Sequence, residues 1–364
     1  MTRRWLILLF NGAAMLMLLR LPAQAPACCP VPPSGKPVVN ADQTVIILWD
    51  SATKTEHFIR QASFKSEADN FGFLVPSPSQ PDLDESGDGA FPYLQKLTEP
   101  EIQKQHRPTG TIACGCGSVS APPEALADKV AVQVLQTKLV AGFNATVLEA
   151  NSAQALVTWL KENGYAFSPE VAAWAKPYVE AGWKITALKV ARAGDDKETK
   201  SVAATALRMS FHTDRPLFPY REPDFKNSLQ ALGASNRVLR IYFVADARYR
   251  GELAKDASWT GRVAWADKLE PAERSRVLAL LNLPANTGAT DWWLTEFEDH
   301  WPYRVAPADL YFARSGDQGA IKRPPIIYYI SSSWPTDIMV YAIAVAVVAP
   351  PVVGRLRHRK SALT

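Results

Sequence analysis

Four cysteines stand in two tight pairs, Cys28-Cys29 and Cys114-Gly-Cys116. Sulfur at this spacing supports two chemistries. In an oxidising compartment an even count reads first as disulfides. Adjacent cysteines bridge each other only with strain, so links between the two pairs are expected. Each would close a loop of about 85 residues and stabilise the fold by about 4 kcal/mol in the chain-entropy account. The alternative is a four-thiolate site for zinc or copper(I), with Cys28, Cys29, Cys114 and Cys116 as ligands. Adjacent and one-spaced ligands are less regular than the usual two-spaced pairs, which favours disulfides. A redox role is weaker still, since Cys-x-x-Cys is absent.

The densest group of ionisable residues is Glu296, Glu298, Asp299 and His300, flanked by Trp292, Trp293 and Trp301. Acids beside indoles suit a ligand or carbohydrate surface. They suit equally an amphipathic helix that docks its tryptophans into a core, and that structural reading is preferred. Asp82, Asp84, Glu85 and Asp88 have calcium-ligand chemistry. They lack the EF-hand spacing and its terminal glutamate, so a solvated loop is expected. The histidines, His57, His106, His212, His300 and His358, form no metal-binding pair. There is no Gly-x-Ser-x-Gly, no phosphate loop and no dinucleotide fingerprint. No catalytic residue and no cofactor is assigned.

Both ends of the chain speak to location. Arg3 and Arg4 precede an apolar stretch over 5–19, then Pro22 and Ala23-Gln-Ala25-Pro-Ala27. This is the layout of a signal peptide, residues 1–27, cut after Ala27. A lipid on Cys28 and an uncleaved anchor are the alternatives. Residues 338–354 carry no charge and are followed by Arg355-Leu-Arg-His-Arg-Lys360. With Trp334 as an interfacial anchor, 334–354 reads as one transmembrane helix and 355–364 as a cytoplasmic tail. The domain 28–330 is then extracytoplasmic, in the periplasm or at the cell surface. The net charge of +4 is concentrated at the termini. The near-neutral middle argues against nucleic acid as a partner.

The elements that must position these groups read as follows. Alternating or β-branched runs predict strands over 44–49, 55–64, 70–78, 130–140, 143–150, 183–190, 203–211, 239–245, 309–313 and 326–330. Helical spacing predicts helices over 91–105, 154–163, 169–181, 271–283 and 291–300. Asn151 or Ser152 caps the second of these, and Gly164 and Gly182 stop the second and third. The acidic stretch 82–88 and residues 108–123 read as loops. Strands dominate, which implies an α+β fold with mostly antiparallel sheets. A faint internal echo suggests two related β-lobes, 28–150 and 183–330, flanking a central helical pair at 151–182.

Several of these segments together resemble the bacterial family called domain of unknown function 2330. The likeness is carried by Phe71-Gly-Phe-Leu-Val-Pro-Ser-Pro78, by the helix block 147–165, and by 178–190. Pro216-Leu-Phe-Pro-Tyr-Arg221, Trp293-Leu-Thr-Glu-Phe297 and Ala308-Asp-Leu-Tyr-Phe312 complete it. It spans about residues 28–315. The early cysteines look like that family's cysteine-containing mature N-terminus, with Cys-Cys where spaced cysteines are more familiar. The resemblance implies secretion and often a membrane tail. It implies no activity and no catalytic residues. The expected protein is therefore a membrane-tethered envelope domain with a binding or structural role. Its partners would be the membrane, through one helix, and an envelope protein or glycan. An extracytoplasmic hydrolase or metal-dependent enzyme, and a thiol- or metal-handling protein built on the four cysteines, are the alternatives.

Overall fold

A computed structural model describes residues 29–31, 43–60, 72–106, 132–165, 169–190, 205–223, 237–253, 258–301 and 308–330. The expected signal peptide, membrane span and tail lie outside these residues, as do Cys28, Cys114 and Cys116. Among the described residues no helix is long and apolar enough to cross a membrane.

The fold is mixed α+β, with sheets dominant. The larger sheet runs in the order β14 (Arg262–Leu269), β15 (Trp292–Trp301), β12 (Arg237–Ala245), β2 (Gln43–Asp50), β3 (Thr55–Arg60), β10 (Ala206–His212) and β5 (Asp82–Ser86). A second sheet runs β1 (Cys29–Val31), β4 (Gly72–Ser77), β9 (Lys184–Val190), β8 (Phe143–Ala150) and β7 (Val132–Val140). A third, small sheet runs β11 (Leu217–Phe218), β16 (Leu310–Arg314) and β13 (Tyr249–Leu253). Neighbours in these sheets are antiparallel, except that β12 and β2 are parallel. Four helices are described: α1 (Ala90–Leu97), α2 (Ala153–Glu162), α3 (Pro169–Glu180) and α4 (Pro271–Leu280).

Strand alternation sorts the apolar residues into three cores. Val45, Ile47, Phe243 and Phe297 of the large sheet meet Phe73, Phe143, Phe218 and Phe312 of the other two. The opposite face of the large sheet, with Ile46, Leu48, Tyr242 and Leu294, packs on Phe91 and Leu94 of α1 and Val277 and Leu278 of α4. The opposite face of the five-stranded sheet, with Leu74, Leu148 and Ile185, packs on Leu156, Leu160, Trp174 and Tyr178 of the α2–α3 pair. The order of layers is thus helices, sheet, sheets, helices. Strands covered on both faces need apolar residues at consecutive positions, which is why Val45 to Trp49 is an unbroken apolar run.

The helical pair forms as its local signals require. Ser152 accepts a hydrogen bond from the Ala155 N–H at 3.1 Å, and Gly164 and Gly182 take positive φ at the two helix ends. Four expectations are corrected. Residues 292–301 form a central strand, because this stretch must pair with β12 on one side and β14 on the other. Residues 82–86 form the edge strand β5 and not a loop, with Leu83 fully buried. The helix expected over 91–105 ends at Leu97, since Pro100 disfavours helical backbone before it, and 102–106 is a strand. The sheets also do not divide at the helical pair. Strands from before it (β2, β3, β4, β5) pair with strands from after it (β12, β10, β9).

Contacts divide the chain into two units, and Pro100–Gly117 with Pro324–Thr364 make up the smaller. In it β6 (Ile102–His106) and β17 (Ile326–Ile330) pair in parallel.

Candidate functional site

The polar centre of the large sheet is β15. Its even-numbered side chains, Trp292, Leu294, Glu296, Glu298 and His300, share one face, and alternation sends Trp293, Thr295, Phe297 and Asp299 to the other. The acids that stand together in sequence are thereby split. Glu296 and Glu298 are 1% and 4% exposed, so each needs partners to hold its charge. The sheet supplies them in register: Arg240 of β12 and Arg262 of β14 both face Glu298. Arg240 Nε lies 2.8 Å from Glu296 Oε1, and its Nη2 donates to Glu298 Oε1 at 3.0 Å. Arg262 Nη2 reaches Glu298 Oε2 at 3.4 Å, and His300 Nε2 lies 3.7 Å from the same oxygen.

The third guanidinium comes from outside the sheet. Arg323 Nη2 lies 2.8 Å from both Glu296 Oε2 and Glu298 Oε1, and its Nε donates to the Thr98 carbonyl at 3.0 Å. The segment that delivers it is fixed. Ile321 and Ala266 exchange two backbone hydrogen bonds, at 2.7 and 2.8 Å. Arg248 Nη1 donates to Asp317 Oδ2 at 2.9 Å and to the Gly319 carbonyl at 2.6 Å. Burial pushes the Glu298 carboxyl up, but hydrogen bonds and charge from Arg323 and Arg240 outweigh it and hold the group at about 2. A carboxyl held there cannot take or give a proton near neutral pH, so it is unsuited to acid–base work.

On the other face, Asp299 is 1% exposed and accepts three hydrogen bonds. They come from Tyr220 Oη at 2.5 Å, Trp259 Nε1 at 3.0 Å and Thr260 Oγ1 at 2.9 Å. Tyr220 also joins this acid to a second one, its backbone N–H donating to Asp309 Oδ1 at 3.1 Å. Asp309 accepts from Tyr178 Oη at 2.6 Å, and Arg221 Nε lies 3.4 Å from its other oxygen. Burial raises the Asp309 carboxyl against the lowering effect of these donors, and burial first, then Asp309, raises the Tyr178 phenol well above its usual range. Trp174 Nε1 closes the junction by donating to the Arg221 carbonyl at 2.9 Å.

The expected site residues are thus placed. Glu296, Glu298 and His300 come together; Asp299 does not join them. Trp292 and Trp293 are buried, as a structural role requires; the Trp301 side chain lies outside the description. Asp84 pairs with Arg208 at 2.9 Å and Lys138 at 3.3 Å, while Glu85 accepts from the Ala141 N–H at 2.7 Å. These acids face different partners, and among the described residues no group of acids, cysteines and histidines is arranged to hold a metal ion. Of the cysteines, Cys29 is placed in β1, opposite Leu74. Sequence reading overlooked the arginines, Arg240, Arg262, Arg323 and Arg208, because their partners are remote in the chain. It also overlooked Glu56, fully buried on β3, which accepts from the Leu217 N–H at 2.9 Å. Burial raises its carboxyl well above the usual range, and that one hydrogen bond lowers it less.

Fold and site define a β-rich α+β domain whose buried charges hold its own sheets and segments together. The family described as "Uncharacterized protein conserved in bacteria (DUF2330)" matches residues 22–313, and the chain belongs to that family. No curated protein matches the chain. Among solved structures, the crystal structure of baculovirus P35 is similar at 9% identity and a TM-score of 0.31, covering 82% of this chain and 100% of that one. A likeness of that size says nothing about function.

Proposed function

We propose that this chain is an envelope protein held to a membrane by one C-terminal helix, 334–354, with its domain outside the cytoplasm in a binding or structural role. The signal-like start and the uncharged stretch ahead of a basic tail support the location. The observation that carries the role is the fate of the buried acids. Glu296, Glu298, Asp299 and Asp309 are each engaged by arginines, phenols, an indole or backbone N–H groups of the same domain. Such groups make a rigid platform and leave its surface to do the binding. A membrane-impermeant amine reagent added to spheroplasts should label lysines within 28–330 and spare Lys360. A labelled Lys360 with an unlabelled domain would sink the proposal. Mass analysis of the non-reduced domain separates two disulfides from four thiols; free thiols with bound metal would favour the thiol- or metal-handling alternative.

An extracytoplasmic hydrolase is the second reading, and one pair favours it. His57 Nδ1 lies 2.8 Å from Ser210 Oγ. Burial, then the charge of Arg208, lowers the imidazole to about 4, so it is neutral at pH 7 but a weaker base than proton abstraction favours, and the contact alone carries this reading. The two residues also face each other in register on β3 and β10, an ordinary cross-strand contact. Ester or peptide turnover that disappears in Ser210→Ala would raise this reading above the first. Turnover that survives the substitution would remove Ser210 as the nucleophile, and an unaltered chain without turnover would remove the reading.

A further inference from the structure

Six large apolar side chains are well exposed among the described residues: Ile102, Val134, Leu139, Ile326, Ile327 and Tyr328. Four of the six belong to the small β6–β17 sheet. Register pairs Ile326 with Ile102 and Tyr328 with Lys104. Paired residues point to the same side, so Ile102, Ile326, Tyr328 and Lys104 share one face. Ile102 is 64% exposed, Ile326 46% and Tyr328 55%. A two-stranded sheet alone is marginal in water and needs something to pack against.

The sequence says what lies close by. Seven residues, hence eight Cα-to-Cα steps, separate Ile330 from the start of the uncharged stretch at Ile338. Even fully extended, they reach about 28 Å. If 334–354 spans a bilayer, the sheet can lie no farther than that from its surface. Two isoleucines, a tyrosine and a lysine on one face are what an interface of acyl chain and headgroup accepts. The aliphatic groups enter the apolar boundary, the phenol sits at headgroup level, and the lysine stem lies flat with its ammonium in water.

We infer that the β6–β17 sheet is a membrane-contacting foot, with Ile102, Ile326, Tyr328 and Lys104 against the outer leaflet of the bilayer that anchors the chain. This rests on the tether reading of the proposed function. The test uses the full chain in vesicles of phosphatidylcholine and phosphatidylglycerol doped with a diazirine-bearing lipid, with adducts mapped by mass spectrometry after irradiation. Adducts are expected in 334–354, in 102–104 and in 326–328. An I102S/I326S/Y328S variant should lose the last two sets, keep the first, and retain the cooperative unfolding of the larger unit. Adducts confined to 334–354 in the unaltered chain would overturn the inference while leaving the tether. Adducts at the sheet with none in 334–354 would support the lipid contact and overturn the tether. Labelling of the sheet unchanged in the triple variant would also overturn the inference.

Discussion

At the level of single residues, the cost of a lost partner depends on how far its counter-charge is withdrawn from water. Arg323 and Arg262 both reach Glu298, but their side chains are 20% and 69% exposed. Removing Arg323 also leaves Glu296, 1% exposed, with one guanidinium in place of two. Arg323→Ala should therefore cost about 3 kcal/mol, the scale of a broken buried pair. Arg262→Ala should cost under about 1 kcal/mol. Urea unfolding of the two variants checks this, and equal costs would refute it. Acid dependence has a definite sign. Glu298 is held at about 2, below the 4.5 of a free glutamate. Its pairing thus stabilises the fold above pH 4.5, and that stability is lost as pH falls toward 2. Glu56 acts in the opposite sense. Its folded value is raised by burial, so it favours the fold below pH 4.5 and weakens it as pH rises through the raised value. Glu56→Gln keeps an acceptor for the Leu217 N–H and removes the burden of a buried charge. Its melting temperature should exceed that of the unaltered chain by more at pH 8 than at pH 4. A gap that is the same at both pH values would show that ionisation of Glu56 has no part in it.

Elements differ in how much of their cause is local. Trp259 is an extreme case of dependence on neighbours. A Cβ placed on Gly251 would lie 2.4 Å from Trp259 Cζ3, and one on Gly261 2.2 Å from its Cζ2. The indole therefore lies across two glycines, and this seat lets its Nε1 reach Asp299. Gly251→Ala must push a rigid ring off that hydrogen bond, at about 2 kcal/mol. In a Trp259→Ala background the same change should be nearly neutral, and thermal unfolding of the four-protein cycle measures the coupling. Additive effects would refute the seat. The same distinction explains what could be read in advance. Helices α2 and α3 were legible because their signals are near neighbours: a Ser152 cap, apolar residues at helical spacing, and a glycine stop. The strand β15 was not. Its apolar residues at 292, 293, 294 and 297 fit a helical stripe, and its acids look like a solvated face until Arg240 and Arg323 arrive from distant segments. Strand β5 was missed for the same reason, since Arg208 on β10 receives Asp84. Of the acidic cluster, the shared face of Glu296, Glu298 and His300 needed only the strand period; the turning away of Asp299 follows from the same period.

For the whole molecule, the decisive fact is that every large core is built from both sides of the helical pair. Strand β2 lies between β3, joined to it by a short turn, and β12, which the chain reaches only after the helices. The segments that carry the family resemblance show the same logic. Tyr178, Tyr220, Phe297 and Phe312 come from four of them, and the Tyr178–Asp309–Tyr220–Asp299 hydrogen bonds bind α3, the 216–221 segment, the residue that leads into β16, and β15 into one junction. No sequential half can complete such a junction or cover both faces of its own strands. Residues 28–150 made alone would lack β9, β10 and β12, leaving Ile46, Leu48, Leu74 and Phe58 without much of what buries them. That fragment should show no cooperative thermal transition and should be digested rapidly by protease. Supplying 151–330 in the same cell restores the missing strands, and the pair should co-purify and resist protease together. Because the pairings span so much chain, loop-closure entropy opposes assembly until late, and refolding of the intact domain should be slow for its size. A fragment 28–150 that unfolds cooperatively on its own would show that the interleaved strands are an addition to a self-sufficient lobe and not the condition for the fold.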